Sequence, residues 1–199
     1  KLNHVLQKLQ ANPSYVSAFQ TAYGKGPITG EKFLNALQSF QLTLVSANSK
    51  YDSVKLGKAN FNAQEQSGYQ LFSMHCNRCH TEPLFTNHQF ADNGLAVNPE
   101  LNDVGRYRIS RKSSDSLKFK VPSLRNLSYT YPYMHDGRFN SLQSVLKHYT
   151  KGIVQHPNLD EGLRAGIPLS DKERTDIIAF LLTLNDRSFV FDKQFSQPK

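Results

Sequence analysis

The two cysteines of this 199-residue chain lie three positions apart and are followed at once by a histidine, in the order Cys76-Asn77-Arg78-Cys79-His80. This spacing is typical of c-type haem attachment. Two thiols one helical turn apart can form thioethers to both vinyl groups of one porphyrin, and the next imidazole can bind the iron. The motif therefore predicts one covalent haem, held by Cys76 and Cys79, with His80 as the proximal iron ligand.

Three other interpretations of the cysteine pair are weaker. A thioredoxin-like redox pair needs a βαβ setting and a helix that begins at the first cysteine, whereas here the helical pattern precedes the pair. A zinc site would need further ligands at metal spacing, and the chain has no second cysteine pair. Two small buried residues beside a surface histidine are the remaining alternative, and the adjacent His80 favours haem over it.

Composition limits the class of protein that carries this motif. The chain has 24 Lys and Arg residues against 16 Asp and Glu, a formal net charge of +8, and 38% hydrophobic residues. These values fit a globular rather than a disordered chain and favour acidic partners without naming them. No stretch approaches the roughly 18 apolar residues of a membrane-spanning helix. The chain starts at Lys1 with no visible leader, which we interpret as a fragment of a longer protein.

Apolar periodicity predicts a mainly α fold. Helices are expected in the first 50 residues, one of them starting at Asn12-Pro13. Capping signals predict helices after Asn62, Ser141 and Ser170, and residues 48–59 are expected to be a polar connection. Residues 81–130 lose this periodicity, so we expect long loops with short strands near 106–109 and 118–121. So long an irregular stretch usually has a function.

The sixth iron position has two candidate sources. Met74 and His75 lie within one turn of Cys76 and cannot reach the opposite face of the ring. The remaining candidates are residues 133–137, which contain Met134, and the pair His148-Tyr149. A Met ligand favours ferrous iron, whereas a Tyr ligand is an anionic oxygen donor that favours ferric iron.

Several segments together resemble the bacterial di-haem cytochrome c peroxidase family, including its MauG-type branch. The resemblance covers nearly the whole chain, and residues 121–139 are its most specific block. The matching residues are Ala36-Leu37, Phe40, Thr43-Leu44, Asn48-Ser49, Gly68, Leu71-Phe72, the haem motif, residues 119–126, residues 130–139, His148-Tyr149 and residues 179–184.

The resemblance implies a cytochrome c-like haem domain at residues 59–199, preceded by a helical lead-in at residues 1–58 from the inter-domain region. Family members have two such domains, and this chain resembles the C-terminal one. The peroxide-reducing haem, its catalytic Glu and a Trp between the haems then belong to the other half, so no catalytic residue is expected here. The absence of Trp and the single haem motif agree with this.

The resemblance also implies metal ligands. The family takes the sixth ligand of this haem from the position of Tyr149, where electron-transfer peroxidases usually have Met and the MauG-type branch has Tyr. We therefore favour Tyr149, with Met134 as the alternative. The family places a calcium ion between its haems, and the backbone carbonyls of Thr130 and Pro132 match its ligands, which is suitable chemistry for a hard cation.

A basic segment lies next to the matched block. Seven Lys and Arg residues between positions 106 and 125 face a single acidic residue, Asp115. Most are expected to be solvated, but haem propionates need cationic partners and Arg supplies paired donors, so Arg125 is the predicted propionate partner. The segment lacks any recognisable nucleic-acid-binding module.

These observations predict the electron-transfer haem domain of a di-haem peroxidase that reduces hydrogen peroxide to water. Its expected partners are the N-terminal peroxidatic haem domain and a small electron donor such as a cytochrome c or a cupredoxin, with a homodimer as a further possibility. Haem c attachment takes place outside the bacterial cytoplasm, so a periplasmic location is expected. The alternatives are a stand-alone mono-haem electron carrier and a MauG-type oxidase that acts on a protein substrate.

Overall fold

The computed structural model describes residues 1–196 of the chain. They divide into two compact units, the first formed by Lys1–Val45 and the second starting at Ser46. Within the described residues, no helix is both long enough and apolar enough to cross a membrane.

The first unit consists of three helices, which are α1 (Leu2–Gln10), α2 (Pro13–Tyr23) and α3 (Gly30–Thr43). The side chain of Asn12 accepts a hydrogen bond from the Ser14 amide and caps α2, as the Asn-Pro pair predicts. The side chain of Thr29 accepts a hydrogen bond from the Lys32 amide and caps α3. The helical expectation for this region is confirmed.

The second unit is also mainly helical. Its helices are α4 (Lys50–Lys55), α5 (Ala63–His75), α6 (Tyr107–Ser110), α7 (Leu142–Lys147), α8 (Asp171–Leu182) and α9 (Arg187–Val190). Two short strands, β1 (Phe90–Ala91) and β2 (Phe119–Lys120), pair antiparallel, with Phe90 opposite Lys120. The predicted caps at Asn62, Ser141 and Ser170 are all present.

Two local predictions were wrong. The connection predicted at residues 48–59 contains α4, because Ser49 and Asp52 form a capping box and the Tyr51 side chain is buried at 2% exposure. The strand predicted at 106–109 is helix α6. The described strand pairing of β2 is with β1. The carbonyls of Arg106 and Tyr107 instead accept hydrogen bonds within a helical turn that ends at Arg111, whose φ is 59°.

The division between Val45 and Ser46 places α4 in the second unit. The ring of Tyr51 packs edge-on against Phe85, 4.8 Å between ring centroids, and against Phe180 at 6.4 Å. The assignment of residues 1–58 as a lead-in and 59–199 as a haem domain stays a prediction, and residues 197–199 of it lie outside the described residues.

Helices α5 and α8 cross closely at Gly68 and form the centre of the second unit. A Cβ atom at Gly68 would lie 1.9 Å from the backbone oxygen of Asp176, so no other residue fits there without moving the backbone. Phe72 of α5 and Phe180 of α8 are fully buried, with ring centroids 5.1 Å apart. This crossing fixes the end of α5, where the haem motif begins.

Candidate functional site

A cavity of about 410 Å³ opens beside the end of α5. Its lining is mainly apolar and includes Phe72, Val121, Leu146 and Leu181. The polar or sulfur-bearing side chains on it include Cys76, Cys79, His80, Asn93, Met134, Tyr149 and Asp160. A large apolar cavity with a few convergent polar groups is the usual form of a cofactor site.

Residues 75–80 form one continuous turn of chain, and we call them the proximal side of the cavity because they include the predicted proximal ligand. The Cys76 amide donates to the Phe72 carbonyl at 2.8 Å and closes α5. The amides of Cys79 and His80 both donate to the Cys76 carbonyl, at 3.2 and 2.9 Å. This tight turn brings both thiols and the imidazole to the same cavity, as the motif predicts.

Hydrogen bonds orient the His80 ring. Its Nδ1 atom lies 3.0 Å from the Phe85 carbonyl and 3.2 Å from the Pro122 carbonyl. Carbonyl oxygens only accept, so Nδ1 carries the proton and Nε2 keeps a free lone pair. Burial lowers the pKa of His80. The ring is therefore neutral at pH 7, in the form that binds a metal ion.

The two thiols are held in their protonated form. Burial, with a smaller contribution from Cys79, raises the pKa of Cys76 to about 12. Burial also raises the pKa of Cys79, and the nearby Asp160 carboxylate adds to the effect. Such thiols are poor thiolate ligands and poor nucleophiles at neutral pH. A thioether sulfur has no proton to lose, so this environment suits cysteines that are covalently attached.

Asn93, Met134 and Tyr149 also line the cavity, and we call them its distal side because they include both predicted sixth ligands. Tyr149 lies on a single π-helical turn (His148–Gly152) that follows α7. Met134 has a positive φ of 72°, in a loop closed by the bridge between Tyr133 and Phe139. Both candidate sixth ligands thus line the same cavity.

The amide of Asn93 contacts both candidates. Its Nδ2 atom lies 3.5 Å from the Met134 sulfur, and its side chain hydrogen-bonds the Tyr149 hydroxyl. Burial raises the pKa of Tyr149, while the Asn93 hydrogen bond opposes that rise. An amide N–H that donates to the phenol oxygen stabilises the phenolate, which is the form that binds ferric iron.

Sequence reasoning missed Asn93, and no motif marks it. It lies in the irregular stretch between residues 81 and 130, where apolar periodicity gives no indication of which side chains are buried. Its position is fixed by the buried His148, whose Nε2 donates to the Asn93 carbonyl at 3.0 Å. This contact occupies the Nε2 atom of His148. Asp160, which pairs with Arg78 at 3.4 Å, is a second cavity residue without a sequence signal.

The remaining predicted residues lie in different places. Arg125 forms an ion pair with Asp52 and donates to the Pro83 carbonyl at 3.1 Å, and it is not part of the described cavity lining. Its role as propionate partner stays a prediction. Thr130 and Pro132 both line the cavity, and the calcium site there also stays a prediction.

The residues present fit a covalently bound haem. The cavity supplies an apolar enclosure, two protonated thiols on one turn and an imidazole whose Nε2 is free. Among the residues from 1 to 196, no three His, Cys, Asp or Glu side chains gather in a cluster that could hold a metal ion. The zinc interpretation of the motif has no support in the described residues.

Two family models match the chain. The cytochrome c model matches residues 65–185, and the di-haem cytochrome c peroxidase model matches residues 1–60. Together they cover most of the sequence. The boundary between the two matches lies just before the helix that leads into the haem motif.

Relatives of the chain are named as MauG and as cytochrome c peroxidases. "Methylamine utilization protein MauG" of Methylorubrum extorquens is 38% identical over 186 residues, which cover 90% of this chain and 52% of that protein. "Cytochrome c peroxidase Ccp" of Escherichia coli is 30% identical over 201 residues, covering 96% and 41%. The chain spans about half the length of the curated relatives it matches.

Solved structures share the fold. A MauG-like protein associated with microbial copper homeostasis superimposes with a TM-score of 0.78 at 27% identity, covering 98% of this chain and 65% of that one. The diheme peroxidase BthA from Burkholderia thailandensis superimposes with a TM-score of 0.70 at 20% identity, covering 96% and 60%. The second likeness concerns the fold alone.

Proposed function

Because this chain belongs to the cytochrome c family, we propose that its cavity holds one haem c, bonded through thioethers at Cys76 and Cys79. His80 is the proposed proximal ligand, through the Nε2 atom that its hydrogen bonds leave free. The observation that carries the proposal is the meeting of both cysteines, His80 and Tyr149 on one apolar cavity of about 410 Å³.

Tyr149 is the proposed distal ligand, with Met134 as the alternative. The Asn93 amide supports this choice, because its hydrogen bond favours the anionic phenol oxygen. The amide also contacts the Met134 sulfur at 3.5 Å, and because a thioether sulfur has two lone pairs, Met134 stays the alternative ligand. A protein ligand on each side leaves no open position for peroxide, so the site suits electron transfer.

Bound haem supplies one-electron redox chemistry. The proposed role of the chain is to carry electrons between a small donor protein, such as a cytochrome c or a cupredoxin, and a peroxide-reducing haem domain N-terminal to it. In this proposal the complete protein reduces hydrogen peroxide to water in the periplasm. A calcium ion bound by the Thr130 and Pro132 carbonyls at the domain junction, and assembly as a homodimer, belong to the same proposal.

A MauG-type oxidase that modifies a protein substrate is the second candidate function. The specific observation in its favour is the tyrosine on the distal side, where the resemblance places Met in electron-transfer peroxidases, together with 38% identity to a MauG protein. A stand-alone mono-haem electron carrier is the third candidate, and it shares the same haem site.

Haem counting on the native protein separates these candidates. Intact mass and the pyridine haemochrome spectrum of the protein purified from its own organism should give two covalent haems, and peroxide should be consumed with a reduced donor. One haem in a species of about this length would establish the carrier instead. Oxidation of side chains on a partner protein, without simple peroxide turnover, would establish the MauG-type activity.

A further inference from the structure

An exposed basic patch, defined as Arg108, Ile109, Arg111 and Lys112, surrounds helix α6. Ile109 is 86% exposed, the largest exposure of any large apolar side chain in residues 1–196. The three basic residues are exposed around it. Burial of apolar surface is favourable, so a partner that covered Ile109 would be stabilised by that contact.

The charges of the basic patch are not neutralised by neighbouring side chains. The adjacent Arg106 pairs with Asp115 at 3.1 Å and covers the Phe90 ring at 4.3 Å. Arg108, in contrast, has a long hydrogen bond of 3.4 Å to the Asn102 carbonyl. Ion pairs within the described part of the chain include neither Arg108 nor Arg111 nor Lys112. Their positive field therefore points to solvent.

The basic patch is connected to the cavity wall through Arg106, the residue before α6. The Arg106 amide donates to the Lys118 carbonyl at 2.9 Å, immediately before strand β2. Phe119 and Lys120 of β2 line the cavity. The Phe119 ring stacks on His135, with centroids 3.7 Å apart, and His135 also lines the cavity. A protein bound on α6 would thus contact a segment that is hydrogen-bonded to one wall of the proposed haem site.

We propose that the basic patch is the docking surface for a small acidic redox protein that exchanges electrons with the haem site. This inference rests on the proposed electron-transfer function and adds the surface and the charge of the partner. A single apolar contact ringed by unpaired cations matches the general form of a transient interface, with an apolar centre and a charged rim that steers association.

The test uses the haem-loaded chain and flavodoxin, an acidic redox protein, as the probe. Arg108→Glu/Arg111→Glu is compared with Lys58→Glu/Lys147→Glu, which makes the same change in net charge at two exposed positions outside the patch. At low ionic strength we expect the patch variant to weaken flavodoxin binding and slow haem reduction by reduced flavodoxin about tenfold or more. The control variant should change both by less than about twofold, and Ile109→Ser should weaken binding about threefold.

Equal losses in the patch and control variants would overturn the proposal, because net charge alone would then explain them. Unchanged flavodoxin binding in the patch variant would also overturn the proposal. If that variant instead loses only its binding to phosphatidylglycerol vesicles, the basic patch binds an anionic membrane surface and the proposal is overturned. Patch-dependent binding without electron transfer would overturn the proposed function and keep the docking site. Rapid electron transfer at the same rate in the patch variant would keep the proposed function and overturn the docking site. Reduction by dithionite should be equal in all variants.

Discussion

The two sides of the cavity are built in different ways. The proximal side comes from six consecutive residues, 75–80, that are held by backbone hydrogen bonds to Phe72 and Cys76. The distal side joins Asn93, Met134 and Tyr149, which come from three separate segments. Local chain geometry therefore places the residues of the first side, with the His80 ring oriented by the Phe85 and Pro122 carbonyls, whereas only tertiary packing produces the second. The proposed covalent attachment depends on the first side, and the choice of the sixth ligand depends on the second.

The largest expected effect is on the proximal side. Cys76→Ser/Cys79→Ser should abolish covalent haem completely, because no other cysteine exists to form a thioether. Intact mass after expression with the c-type haem attachment machinery measures this. Met74→Ala changes an exposed neighbour, 74% accessible, and should keep the full haem mass. Covalent haem in the double variant would contradict the assignment.

The second prediction concerns the crossing of α5 and α8, which supports the end of α5 where the proximal side begins. Gly68→Ala should destabilise the protein by about 3 kcal/mol, because the new Cβ would lie 1.9 Å from the Asp176 oxygen and force α5 away from α8. Urea unfolding measures the change. Gly30→Ala, whose nearest contact would be 3.5 Å, should change stability by less than about 0.5 kcal/mol. Similar values for both variants would show that the α5–α8 crossing does not control the motif.

The third prediction concerns the distal side alone. Asn93→Leu removes the hydrogen bond that favours ionised Tyr149, so the pKa of Tyr149 should rise further. In the haem-loaded protein we expect the spectral transition of the Tyr149 ligand to move up by about one pH unit. A pH titration of the visible spectrum measures it. Asn60→Leu, at an exposed position, should leave the transition in place, and an unmoved transition in Asn93→Leu would remove Asn93 from the site.

The smallest effect concerns the residue that positions Asn93. Burial lowers the pKa of His148, so protonation favours the unfolded chain. Stability should therefore fall as pH drops below about 6.5, the ordinary histidine value, with a slope of at most about 1.4 kcal/mol per pH unit from this group. His148→Gln should remove that share of the slope, and the exposed His88→Gln should keep it. Urea unfolding at pH 5 to 7 measures both, and a slope unchanged in His148→Gln would contradict the assignment.

Features that depend on local sequence could be predicted, and features that depend on tertiary contacts could not. The structure confirms the mainly α fold and the helix caps at Asn62 and Ser170. The family models confirm the resemblance to the di-haem peroxidase family. Caps and motifs can be predicted from sequence because they are local patterns. The strand expected at 106–109 was wrong, because strand formation depends on a pairing partner that the sequence does not reveal.

The distal side could be predicted only through family resemblance. Helical periodicity places Tyr149 on one stripe with Leu142 and Val145, and all three line the cavity. Periodicity alone therefore cannot separate an iron ligand from an aromatic residue of the core. Asn93 has no local signal, since its role depends on contacts with residues 41 and 56 positions away. The ion pair between Arg125 and Asp52 also has no signal in the sequence, because the two residues are far apart in the chain. The role of Arg125 as propionate partner stays a prediction.

The central claim is that Tyr149 faces His80 across one haem, and ligand-sensitive spectroscopy of the haem-loaded chain tests it most directly. Tyr149→Phe removes the phenol oxygen with little change in shape, so the electron paramagnetic resonance and visible spectra of the ferric protein should change completely. Met134→Leu should leave both spectra nearly unchanged. An unaltered spectrum in Tyr149→Phe, with an altered one in Met134→Leu, would contradict the claim and assign the sixth position to Met134.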